Sequence, residues 1–168
     1  MHSDRQISED EFDVVYEVMK GESSRGCVLV AAALLEWQME QLLRQVFLTQ
    51  HDDPTDEITK QINVMLDPTN EKSILGAAAA RGRMCRVLNL ISEPIHKLLK
   101  EFLVFRNANF AHARSEVTFD DAKIKRGIDR MVKMVPPDMD KFFQTREDTR
   151  REFVKIVVVL YFCLEYRI

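Results

Sequence analysis

The stretch from Ser24 to Thr49, SRGCVLVAAALLEWQMEQLLRQVFLT, decides the fold. Within it Val28, Ala31, Ala32, Leu35, Met39, Leu42, Leu43 and Val46 recur at intervals of three and four, and Leu34 and Trp37 widen the stripe. That is the period of an α-helix. Ser23-Ser24 supplies hydroxyls that accept from the free amides of a first turn, so the spacing predicts a helix over about 24–49. A helix this long and this apolar needs neighbours on more than one side, which makes it the central element of a bundle.

Upstream, Ser8 and Glu11 form a capping box, and Phe12, Val15, Val18 and Met19 continue at helical spacing until Gly21, predicting a helix over 8–20. Downstream, the polar run His51-Asp52-Asp53-Pro54-Thr55 is a loop, and Ile58, Ile62, Met65 and Leu66 mark a short helix that Asp67-Pro68-Thr69-Asn70 breaks. Leu75 to Leu90 and Glu93 to Arg106 read as a helical hairpin, since Pro94 suits a first turn. Asp120-Asp121 open a helix to about Met134, Pro136-Pro137 stop it, and Thr145 to Tyr166 form the last. Val117-Thr118-Phe119 is the one strand-like stretch, and one strand makes no sheet. The expectation is all-α, a single domain over 1–168 with six or seven helices.

The 168 residues are 46% apolar and 30% charged, with five glycines and five prolines. Net charge is −3, so the chain as a whole lacks the cationic footprint of a DNA-binding domain. Cys27, Cys85 and Cys163 are far apart in apolar surroundings and read as buried thiols. The start is acidic where a secretory signal would be basic. The longest apolar runs, Cys27–Leu35 and Ile156–Leu164, are nine residues each, about half of a membrane span. A cytoplasmic protein is expected.

Several chemistries find no support. The glycines at 21, 26, 76, 82 and 127 are isolated, so no phosphate-cradling loop is present. The histidines at 2, 51, 96 and 112 share no metal-ligand spacing, and Glu36 and Glu40, one turn apart, lack an E-x-x-H partner. Neither a metal nor a cofactor is expected. The 81–106 hairpin is too long and too apolar to be a DNA-reading helix-turn-helix.

Charge is unevenly placed. Residues 1–22 carry seven acids and two bases, residues 23–80 eight and four, whereas residues 81–114 carry seven bases and two acids. Inside this basic segment lies Arg106-Asn107-Ala108-Asn109-Phe110-Ala111-His112. Arginine grips phosphate with a permanently charged fork, asparagine can orient a ribose hydroxyl, and histidine moves a proton near neutral pH. Arg106, Asn107 and His112 are therefore candidates for metal-free RNA cleavage, and Arg81, Arg83, Arg106, Asn109 and His112 for binding a phosphate. On an ideal helix Arg106 and His112 stand about 120° apart, so they converge only if the helix ends between them or across a two-fold axis. The competing reading is structural: Asn109 and His112 cap the helix while Arg106 pairs with Glu36 or Glu40. A second structural pair is expected between Glu36 and Arg81 or Arg83, because an unpaired charge inside an apolar helix is costly.

Two family resemblances meet here. Arg25-Gly26-Cys27-Val28-Leu29-Val30, Leu34-Leu35-Glu36, Leu42-Leu43, Leu75-Gly76, Ala80-Arg81, Leu88-Asn89-Leu90-Ile91, Asn109-Phe110-Ala111-His112 and Thr118-Phe119-Asp120-Asp121, in that order over about 24–130, resemble the mannitol operon repressor family. The resemblance implies an all-helical bacterial regulator of sugar-alcohol uptake that has no recognisable DNA-binding motif and acts through a partner regulatory protein. Arg106-Asn107 followed by four residues and then His112 is similar to the R-x(4–6)-H signature of HEPN helical domains, which implies a dimeric, metal-independent RNase or a nucleotide-binding toxin or antitoxin module. The chain is read first as the regulator and not as an enzyme, with RNA as the alternative ligand. A homodimer is expected because the helix at 24–49 and the run Ile156 to Phe162 together carry more apolar surface than one small bundle can bury.

Overall fold

The computed structural model describes residues 9–48, 55–111, 116–137, 139, 143 and 148–166. They form seven α-helices: α1 Glu9–Lys20, α2 Ser24–Phe47, α3 Glu57–Leu66, α4 Ala78–Val87, α5 Glu93–Arg106, α6 Ala122–Val132 and α7 Thr149–Tyr166. A π-helical turn, Asn107–Ala111, continues α5. The fold is an all-α bundle, with no strand among the described residues. Val117 and Thr118 are irregular, and Phe119 turns into the core.

Local chemistry explains the helix ends. The Ser23 hydroxyl accepts from the Gly26 amide at 3.0 Å, starting α2, and Asp56 accepts from Thr59 at 3.4 Å, starting α3. Pro94 occupies the first turn of α5. Asp148 caps α7 through the Arg151 amide at 3.0 Å. Arg150 of α7 donates to the carbonyls of Met19, Lys20 and Glu22, placing a cation at the C-terminus of α1. Ser8 of the expected capping box, the loop residues 51–54, His112 and residues 145–147 lie outside the described residues.

The helix expected over Leu75–Leu90 is shorter, Ala78–Val87. At its start, the Leu75 amide donates to Met65 and the Leu75 carbonyl accepts from Arg81, so both groups are taken by partners outside an α-helical ladder. At its end Asn89 adopts φ 55°, the left-handed conformation that closes a helix. The helix opened by Asp120-Asp121 ends at Val132, two residues before Met134.

Which helix is enclosed differs from the expectation. Phe153, Val154 and Ile156 to Leu160 of α7 are fully buried, so α7, apolar all round, spends its surface inside the bundle. In contrast, α2 buries Cys27, Val28, Ala31, Ala32, Leu35, Gln38, Met39, Leu42 and Leu43 and leaves its opposite face open. It is the one described helix long and apolar enough to cross a membrane by length and composition, and half of its apolar window is buried in the bundle. Phe102, Phe105, Phe110, Phe119 and Phe153 form an aromatic cluster with ring centroids 5.4–6.4 Å apart, joining α5, the π-turn, the 116–121 segment and α7. Gly127 lets α6 lie directly on the Phe105 ring, which a Cβ there would approach to 2.8 Å.

Candidate functional site

Of the residues singled out in the sequence, Arg106, Asn107 and Asn109 lie where α5 ends beside α2. Arg106 stands on the last turn of α5 and Glu36 in the middle of α2. Nη2 of Arg106 meets Oε1 of Glu36 at 2.5 Å, and the two side chains are 22% and 32% exposed. Such a charge-assisted bond in a part-buried setting holds the guanidinium on its carboxylate. The Nε of Arg106 is buried and finds no partner among the described residues.

Arg81 does something different. At 3% exposure it is buried, and it donates through Nε to the Leu75 carbonyl at 2.8 Å, through Nη1 to the Glu36 carbonyl at 3.2 Å and through Nη2 to the Leu66 carbonyl at 2.5 Å. Its Nη2 also lies 3.1 Å from Oε2 of Glu40. One side chain therefore caps α3, holds the 67–77 loop and ties both to α2. Glu40 shares its other oxygen with Arg44 at 2.9 Å, and Arg44 reaches Asn63 of α3 at 2.6 Å.

The ion pair expected between Glu36 and Arg81 or Arg83 is thus not the one formed. Arg81 meets only the backbone carbonyl of Glu36, and its carboxylate partner is Glu40, one turn further on. The Glu36 carboxylate is taken by Arg106. Arg83 points to solvent, because the α4 face that carries Arg81 and Cys85 is the one buried against the bundle. Of the five phosphate candidates, then, Arg81 and Arg106 are occupied by protein oxygens, Arg83 is exposed and apart, and His112 lies outside the described residues.

Asn109 is half-buried, and its Nδ2 donates to the Phe105 carbonyl at 2.8 Å, as a residue holding the end of α5 would. Its Oδ1 is buried without a partner among the described residues, at the side of an open cleft lined also by Ala108, Val117, Asp121 and Lys123. Asn107 is exposed. Between them the backbone widens from α to π, which sequence reading missed. The signal was Phe105 and Phe110. Five residues are about 140° apart on an α-helix but close to one full turn of an i→i+5 helix, and both rings are buried with centroids 5.5 Å apart. One more bond fastens the turn to α2, Arg25 to the Ala111 carbonyl at 3.4 Å, and Ser24, accepting from the Phe119 amide at 3.2 Å, fastens the 116–121 segment to the same helix. Both arginines of the core network serve as clamps between helices, and the chemistry the arrangement supports is rigid presentation of a surface.

No family model matches the chain, and no curated protein matches it. Among solved structures, a chain in the "X-ray structure of the MtlR-HPr complex from Escherichia coli" is similar to it with a TM-score of 0.69, covering 93% of this chain and 99% of that one at 18% identity. The likeness shows a shared fold over nearly the whole length of both.

Proposed function

We propose that this protein is a cytoplasmic, mannitol-repressor-like regulator of transcription that acts by binding a partner protein, without reading DNA itself. The observation that carries this reading is the end-to-end likeness to a chain solved in complex with HPr. Two features of the structure support it. Arg81 and Arg106, the basic groups best placed to grip a phosphate, are engaged by carbonyl and carboxylate oxygens of the same chain. Apolar side chains stand in solvent in pairs, Val14 with Val18 on α1 and Val64 with Ile74 beside α3, as contact surfaces require.

Titration of purified HPr into the full chain by calorimetry tests the proposal. Saturable one-to-one binding is expected, with a dissociation constant in the micromolar range typical of transient regulatory contacts. Absence of HPr binding together with metal-independent cleavage of single-stranded RNA, lost in Arg106→Ala, would favour the RNase reading instead.

A further inference from the structure

Acids and bases are out of balance where α6 lies along α5. Lys123, Arg126, Arg130 and Lys133 follow one another along α6 to its C-cap at intervals of three, four and three, an exposed row about 15 Å long within about 80° of arc. Gly127 on the Phe105 ring and Arg130 on Glu101 at 2.7 Å lay this row beside α5, whose outer side adds Lys97 and Lys100. The face holds two acids, and both are already engaged: Glu101 accepts from Arg130, and Glu93 accepts from Arg86 of α4 at 2.9 Å with Lys97 3.6 Å away. Asp129 turns to the other side of α6 and lines a cleft there with Thr149 and Glu152. Beyond the start of the row, Asp120 lies 3.5 Å from Lys125, and Asp121 accepts from the Thr118 amide. Lys100, Lys123, Arg126 and Lys133 are left without a carboxylate partner among the described residues. The whole-chain charge of −3 hides this excess, because residues 1–80 are acidic. We propose that this face binds the phosphate backbone of duplex DNA without regard to its sequence.

Composition selects the occupant. Protein–protein interfaces are depleted in lysine and built on an apolar core, whereas Val104, 50% exposed, is the one large apolar side chain standing out among the bases of α5 and α6. A face that offers charge without such a core fits a ligand recognised by its charge density. Duplex DNA is that ligand, since each strand carries a phosphate about every 3.4 Å of axis and a 15 Å row runs past about four of them. An unpaired strand fits less well, because Phe102 and Phe105 are buried and α6 has no aromatic residue, leaving no ring for bases to stack on. The row has no means of reading sequence either. It holds lysine and arginine but no asparagine, glutamine, serine or threonine, and Glu101 keeps Arg130 on the protein. Phosphate contacts of this kind position a protein on DNA without selecting a site. The contact goes beyond partner binding and is compatible with it: the regulator is held near DNA while another protein chooses where.

The test is fluorescence anisotropy of two labelled 20-base-pair duplexes of unrelated sequence, titrated with the full chain. Micromolar binding at about 50 mM salt is expected, alike for both duplexes, and four phosphate contacts imply a fall of about 100-fold at about 200 mM. Arg126→Glu combined with Lys133→Glu should weaken binding by about 30-fold or more with an unchanged circular dichroism spectrum. The milder Lys100→Ala and Lys123→Ala should each reduce the slope of log affinity against log salt by about 1. Lys60→Glu combined with Lys72→Glu, at exposed positions beside α3, changes net charge by the same amount and should cost less than about threefold. No binding at 50 mM overturns the proposal, as do equal losses in the two double variants, which make the effect one of net charge alone. A single strand bound more tightly than the duplex overturns it as well. So does poly-L-glutamate that displaces the duplex at equal charge concentration, which assigns the face to an acidic protein instead. Because no partner protein is added, failure here leaves the HPr titration standing, and failure of that titration leaves the DNA contact standing.

Discussion

Arg106, on the last turn of α5, closes onto Glu36, seventy residues earlier in the middle of α2, with Nη2 and Oε1 2.5 Å apart. This clamp ties the last turn of α5 to α2. Removing its charge by Glu36→Gln leaves a part-buried guanidinium without a counter-ion, and a cost of about 1–3 kcal/mol is expected in urea unfolding. Glu36→Gln combined with Arg106→Gln should recover part of that loss in a double-mutant cycle. A single-mutant change under about 0.5 kcal/mol would mean that water serves the arginine as well as the carboxylate does.

Arg81 should be the most sensitive charged residue in the chain. Its guanidinium satisfies the Leu66, Leu75 and Glu36 carbonyls while facing Glu40. Arg81→Met keeps much of the volume and strands those acceptors, so a loss of about 3–5 kcal/mol is expected. Arg81→Lys should rescue little, because one ammonium cannot span acceptors spread along a planar fork. Denaturation midpoints of the two variants, compared with Arg83→Met at the exposed site, measure this directly.

Gly127 is required by contact. A methyl group there would sit 2.8 Å from two carbons of the Phe105 ring, and that ring is wedged against Phe110 and Phe153. Gly127→Ala therefore trades a gain in helix propensity of about 1 kcal/mol for overpacking worth about 1–3 kcal/mol or more, and should destabilise. A more stable Gly127→Ala protein would show that α6 can slide off the ring.

Burial pushes the Cys27 thiol up from 9.0 to about 11 and the Cys85 thiol to about 12, so both stay protonated in the folded chain at pH 8. Labelling by a disulfide reagent at pH 8 should be at least 100-fold slower in the native protein than in urea. The linkage has a definite sign. Below pH 9 both thiols are protonated whether folded or not, and their contribution is intact. As pH rises from 9 toward 11 and 12 only the unfolded chain loses these protons, so stability falls. Cys85→Ala should flatten the alkaline limb of a stability–pH curve, and an unchanged limb would place the loss elsewhere.

The sequence by itself determined the helices. Periodicity at three and four and the cap at Ser23 are local, lying within one turn of the residues they organise, so α2 and α5 were legible to within two residues and all three cysteines were legible as buried. It also narrowed the partner of Arg106 to Glu36 or Glu40. Only the tertiary structure decided between them, and gave Glu40 to Arg81, because the choice rests on where α4 and α5 cross α2, a matter of a single helical turn that no local pattern records. The π-turn was half legible, in two phenylalanines five residues apart, but it forms because the aromatic cluster of α5 and α7 pulls both rings to one side. The same reason governs burial. The apolar stripes of α2 and α7 look alike along the chain, and only packing could enclose α7 completely and leave Leu29, Ala33 and Trp37 facing out, since a helix knows its own period but not how many neighbours it will have.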